Sequence, residues 1–197
     1  MKKHFFIIPT FFLLLFVLPS TIVSAATSTT TINVAVASVI TISSGGTLNL
    51  SVTPSGPGAQ TVGSDTVTIS TNDTAGYTLK ISNSSASTAN LISGSNTISP
   101  SAGTQASPTV PQLANSWGYC VTGVGGFVCP SVASSSQAIS NTYSFAGTPL
   151  SASPNTLKAT ATTATNDTTV VWYGVSADTT KPSGTYTSTV TYTGIAN

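Results

Sequence analysis

The sequence predicts an all-β protein, an antiparallel β-sandwich of the Ig-like or jelly-roll type following a cleaved N-terminal signal helix. Three observations lead there. Beyond residue 25 the apolar residues recur with a period of two, and helical periodicity is lacking. The chain is rich in Val, Ile, Thr, Tyr and Phe, side chains that suit a pleated, half-buried surface. Clusters of Gly, Pro, Asn and Ser cut it into short segments at the spacing expected of a sandwich, with a barrel as the less favoured closure.

The first element is an export signal. Lys2, Lys3 and His4 form a cationic start, an apolar run follows over residues 5–18, and small residues stand at Val23-Ser24-Ala25-Ala26. Cleavage is expected after Ala25, with Ala26 the next choice. Pro9 and Thr10 interrupt the apolar run, which is shorter than the roughly 20 residues of a membrane span. The expectation is therefore a signal peptide over 1–25, no transmembrane helix in the mature chain, and a secreted or extracellular product. No cysteine follows the apolar run and no LPxTG-like segment occurs, so any wall association would be non-covalent.

Residues 26–197 read as a single sandwich domain. Residues 31–42 are β-branched almost throughout, and Leu48, Leu50 and Val52 alternate with polar partners. A Pro- and Gly-containing turn over 53–58 precedes the strand holding Val67 and Ile69, and Asn72-Asp73-Thr74-Ala75-Gly76 reads as the next turn. Tyr77, Leu79 and Ile81 then share one face, with Lys80 on the other. Residues 82–112, rich in Ser, Ala, Asn and Pro, read as a long loop. Further strands are expected over 116–121, 127–129, 142–145, 156–161 and 169–175. After a turn at Lys181-Pro182-Ser183-Gly184, Tyr186, Ser188, Val190 and Tyr192 line one face of a last strand, and Thr187, Thr189 and Thr191 the other. The repeated Thr-Asn-Asp-Thr at 71–74 and 165–168 reads as two similar turns.

Charge limits the function. His4 is the only histidine, and the chain has no Arg and no Glu. Beyond the signal, the charged residues are Lys80, Lys158, Lys181, Asp65, Asp73, Asp167 and Asp178. Acid–base and nucleophilic catalysis rest on His, on tuned carboxylates, or on Ser or Cys beside a base. No catalytic residue is assigned and no enzyme is expected. A carboxylate pair acting on wall polymer would need two of the four aspartates to converge, and no local spacing suggests it. Nucleic acid is excluded as a partner by the missing basic footprint. Disorder is excluded by the aromatic and β-branched content. Solubility falls to hydroxyls and amides.

Cys120 and Cys129, the only cysteines, are expected to form a disulfide across a Gly-rich reversal, since an exported chain meets an oxidising environment. Trp117, Tyr119 and Phe127 cluster around that loop, and Trp172 and Tyr173 lie in a late strand. These five aromatics are the candidate binding residues, against core packing as the plainer reading. For Trp172 and Tyr173, neighbours on opposite faces, one is expected in the core and the other partly exposed. No metal and no cofactor is assigned: the aspartates lack the spacing of a calcium loop, and each Asn-Asp-Thr suits an Asx turn.

The closing segment Gly184-Thr185-Tyr186-Thr187-Ser188-Thr189-Val190-Thr191-Tyr192, with Tyr173-Gly174-Val175 before it, resembles the last strand of exported bacterial sandwiches. WxL-type cell-wall-binding proteins end in a similar Gly-x-Tyr segment, and spore coat protein U-like and pilus subunits in a related one. Gly76-Tyr77-Thr78-Leu79 resembles another WxL-group strand, while Tyr192-Thr193-Gly194 stands in place of a Trp-x-Leu. The resemblance implies an exported, surface-associated bacterial protein whose partner is cell-wall polymer, another surface protein or a glycan. The expected role is structural or adhesive at the envelope, and the alternative is a pilus- or fibre-like subunit using residues 31–42 as a donor strand. Thiol titration of the exported protein without reductant should find no free thiol; two would overturn the cysteine pairing.

Overall fold

The computed structural model describes residues 25–110 and 112–197. The signal peptide expected over 1–25 therefore lies outside the described residues, except for Ala25. The chain divides at Val36. Before that point, residues 25–36 form no ladder and are exposed throughout, and Ile32, Val34 and Val36 expose 82%, 79% and 82% of their surface.

From Ala37 onward the protein is all-β: ten strands and no helix among the described residues. They are β1 (Ile40–Ser43), β2 (Ala59–Thr71), β3 (Tyr77–Asn83), β4 (Leu91–Ser93), β5 (Asn96–Pro100), β6 (Ser116–Val121), β7 (Ser134–Ala138), β8 (Asn155–Ala159), β9 (Ala164–Ala177) and β10 (Val190–Ala196). One sheet runs β1-β2-β9-β6-β5-β4, with β7 as a further partner of β2; the other runs β10-β3-β8. All ladders are antiparallel except β5 with β6.

The period of two decides which side chains meet. Val67 and Ile69 of β2, Trp117, Tyr119 and Val121 of β6, and Val171, Tyr173 and Val175 of β9 join Tyr77, Leu79 and Ile81 of β3 and Leu157 of β8 in one core. Both sheets thus turn apolar faces to the same interior.

The outer face of the larger sheet is covered too. Val62, Cys120, Trp172 and Phe145 form a second apolar cluster, with Phe127, Cys129 and Tyr143 packed on it. Cys120 and Cys129 are disulfide-bonded, which ties the covering segment to β6. In the chain-entropy account a loop this short contributes roughly 2.5–3 kcal/mol. Two opposed glycines, Gly118 and Gly174, make the close approach possible. A Cβ on Gly118 would stand 2.4 Å from the Ala146 carbonyl oxygen, and one on Gly174 would stand 2.6 Å from the Phe145 ring. Trp172 and Tyr173 are consequently both buried, and the expected half-exposed partner is corrected: the cover hides the face that alternation alone would leave wet.

Other expectations also change. Of residues 31–42, only the last three join a ladder, as part of β1. β2 ends at Thr71 and the chain turns away, so before Ile40 backbone pairing shrinks to one bond, from the Asn72 N–H to the Val39 carbonyl at 3.3 Å. The Asn72 side chain accepts from the Val39 N–H at 2.7 Å and donates to the Ala37 carbonyl at 3.0 Å. Residues 48–52 keep their alternation but form no ladder. The Asp65 carboxylate takes the Gly45 N–H at 2.7 Å and the Thr61 hydroxyl donates to the Ser51 carbonyl at 2.7 Å, so side chains of β2 stand where backbone pairing would.

The stretch 82–112 is no simple loop. It holds β4 and β5, reversed at Gly94 with φ of 58°, and brings Ile98 into the core. Residues 127–129 and 142–145 serve as cover and are not strands; only Phe145 bridges backbone, to Thr109. Asn-Asp-Thr at 72–74 is an Asx turn, closed by the Ala75 N–H on Asp73 at 2.9 Å. The copy at 166–168 lies within β9, where Asn166 at φ of 50° marks a break in register.

Gly118→Ala should lower stability by about 1–3 kcal/mol, because the new methyl meets backbone and not a yielding side chain. Gly56→Ala, with open space around it, should be nearly neutral. Urea midpoints of the two variants check the contrast.

Candidate functional site

β1 ends one sheet and β10 ends the other, and the two edges run side by side. Near Gly194 they close together: a Cβ there would lie 3.3 Å from the Ile40 δ-methyl and 3.7 Å from that of Ile42. Farther along, residues 44–52 and 184–190 part to leave a groove of about 700 Å³. Leu91, Ile98, Trp117, Tyr173, Val175 and Tyr192 line its interior. Leu48, Leu50 and Val52 stand on one lip, and Gly184, Tyr186 and Ser188 on the other. A second crevice, of about 490 Å³, separates residues 48–51 from β2 and β7.

The groove mixes apolar side chains with hydroxyls and carries no charge apart from Asp65. Trp117 stacks on Tyr173 with centroids 6.5 Å apart and rings inclined by 22°, and its indole N–H donates to the Ala89 carbonyl at 2.8 Å. The Tyr173 and Tyr192 hydroxyls share a 2.6 Å hydrogen bond. Burial, reinforced by the neighbouring Tyr192, pushes the Tyr173 phenol well above its ordinary range. Burial also raises Tyr192, with the Asp65 charge acting in the same direction against the Tyr173 hydrogen bond. Both phenols therefore stay protonated across the physiological range. Trp117 and Tyr173 are themselves buried, at 5% and 7% exposure, so they floor the groove as part of the core, and Tyr186 and Tyr192 are the more accessible rings along it.

The predicted aromatics divide among three places. Trp117 and Tyr173 meet in the groove. Tyr119 is buried beside Phe127, with centroids 5.4 Å apart and rings at 61°; its hydroxyl donates to Gln105 at 2.9 Å and accepts from Asn155 at 2.8 Å. Burial raises the Tyr119 phenol, opposed by the Asn155 hydrogen bond. Trp172 lies on the outer face under the cover. Tyr192, Asp65 and the 48–52 lip escaped the sequence reading as site residues, although the alternations Leu48-Leu50-Val52 and Ser188-Val190-Tyr192 already mark the faces that line the groove.

Away from the groove, one ion pair joins the sheets. Lys158 of β8 lies 2.6 Å from Asp167 of β9, and the Tyr77 hydroxyl of β3 donates to the other Asp167 oxygen at 2.8 Å. The Lys158 hydrogen bond, helped by Tyr77 and opposed by burial, holds the Asp167 carboxyl below its usual range. Burial and the adjacent carboxylate raise the Tyr77 phenol. Among the described residues no three His, Cys, Asp or Glu converge to hold a metal ion, and no helix is long and apolar enough to cross a membrane. No protein-family model, curated protein or solved structure matches the chain.

A depressed carboxyl stabilises the fold above the unfolded value of about 3.9, and that stability is lost as pH falls through the lower folded value. Melting temperature should therefore drop between about pH 4 and pH 2. Asp167→Asn should melt lower than wild type at neutral pH and lose less over that acid interval. Equal acid losses in the two proteins would remove Asp167 from the account.

Proposed function

We propose that the chain is an exported, non-enzymatic β-sandwich of the Ig-like or jelly-roll type with a structural or adhesive role at the bacterial envelope, secreted or held at the wall. The observation that carries this reading is the aromatic groove between the sheet edges. Its lining carries no charge apart from Asp65 and mixes hydroxyls with apolar side chains, Tyr186 and Tyr192 among them, which suits a sugar ring or an uncharged peptide and not an ionic substrate. The disulfide and the fold's reliance on hydroxyls and amides fit an extracellular setting, and the resemblance of the 184–192 segment to WxL-type closing strands points to the same surface. The partner in this reading is cell-wall polymer, another surface protein or a glycan.

A second reading, a fibre-like subunit assembling by strand exchange, gains support from Ile32, Val34 and Val36, whose alternating side chains are about four-fifths exposed. Such a row of bare aliphatics is what an edge-seeking strand presents.

The exported protein, incubated with isolated cell wall and separately with whole cells, should be retained by at least one and released by competing soluble wall fragments. Retention by neither would overturn the envelope-binding role.

A further inference from the structure

We propose that the groove between residues 44–52 and 184–190 receives residues 31–36 of a second copy of this chain, with Ile32, Val34 and Val36 directed at its apolar lining. The proposal rests on the strand-exchange reading and assigns it a donor, an acceptor and an orientation of side chains.

The donor is fitted by its alternation. In an extended strand, Ile32, Val34 and Val36 share one face and Thr31, Asn33 and Ala35 the other, so one face can enter an apolar cleft while the other meets water. All three aliphatics are exposed and none belongs to a ladder. The segment ends where Ala37 and Val39 are held by the Asn72 side chain, so the donor stops at a fixed point on its own body.

The acceptor is fitted by what one of its walls lacks. Residues 48–52, on one lip, make no ladder with β2 or any other described strand, whereas the facing lip is already engaged, Thr187 with Ile92 and Thr189 with Ser84. Leu48 remains 38% exposed there. An incoming strand would supply backbone partners to the open edge of residues 48–52 and aliphatic side chains to the partly exposed Leu48, Leu50, Leu91 and Tyr186. Neither side opposes the contact electrostatically, since residues 31–36 carry no charge and Asp65 is the groove's single ionic group. A glycan in the same groove would account for the aromatics but not for the alternating, exposed aliphatics, which is why the protein partner is preferred.

The test uses the exported protein in size-exclusion chromatography with light scattering. Wild type should elute as dimers or longer assemblies. Val34→Asp, at an exposed position, should elute as a monomer that keeps the wild-type β-sheet circular dichroism. Separately prepared Val34→Cys and Leu48→Cys proteins, mixed under mild oxidation, should form a disulfide-linked heterodimer, and neither should do so with wild type, whose cysteines are already paired. Wild-type assembly that survives Val34→Asp and yields no cross-link overturns the donor and groove assigned here and leaves strand exchange by another route standing. A wild-type monomer overturns both.

Discussion

The antiparallel ladder between β2 and β9 holds the rest of the molecule in place. It pairs Ala59 with Ala177 and continues to Thr71 opposite Ala164, joining segments about a hundred residues apart. β1 and β7 hang on β2, β6 hangs on β9, and β5 and β4 follow outward from β6. The ladder also sets the groove, because one register places Asp65 on β2 and Tyr173 and Val175 on β9. A one-residue slip would turn Tyr173 to the outer face and Trp172 into the core. Pairing across so long a loop makes this the slow kind of topology, in which closure entropy precedes the reward of contact.

What holds the register is a sheet buried on both sides. Beneath the outer cover, Gln60 donates to the Gln112 carbonyl at 2.8 Å, and Gln112 donates to the Ser116 and Gly174 carbonyls at 3.1 and 2.9 Å. Ser140 donates its N–H to Gln60 at 3.2 Å. Both amides are almost fully buried, and every contact in this small network is neutral. β2, β6 and β9 and the segments at 112 and 140 are therefore joined by groups that cannot titrate. Leaving either amide unpaired would cost the desolvation of a buried polar group, about 1–3 kcal/mol.

Alternation made much of this legible. Tyr77, Leu79 and Ile81, the strand over 116–121 and the cysteine pair could all be read from spacing and residue type. The limits of β1 could not, because β-branched residues show that a segment can be a strand and not whether another backbone lies beside it. β4 and β5 were hidden by Ser and Asn, whose propensities a three- or five-residue strand overrides through partners alone. The cover over Trp172 depends on Gly118 and Gly174 facing each other, a tertiary coincidence that no local pattern records. The groove was half legible: its aromatics stood out, but its position at the meeting of two sheet edges follows from topology.

The scarcity of cationic residues has a consequence for proteolysis. Proteases that cut after Lys or Arg need a segment of extended, accessible chain, and beyond residue 25 this protein offers them three lysines. Lys80 lies within β3 and Lys158 within β8, both inside ladders, and Lys181 is followed by Pro182, which blocks such cleavage. The bare N-terminal segment at 26–36, the most approachable stretch for any enzyme, contains neither residue. A trypsin-like digestion would find no ready point of entry among the described residues.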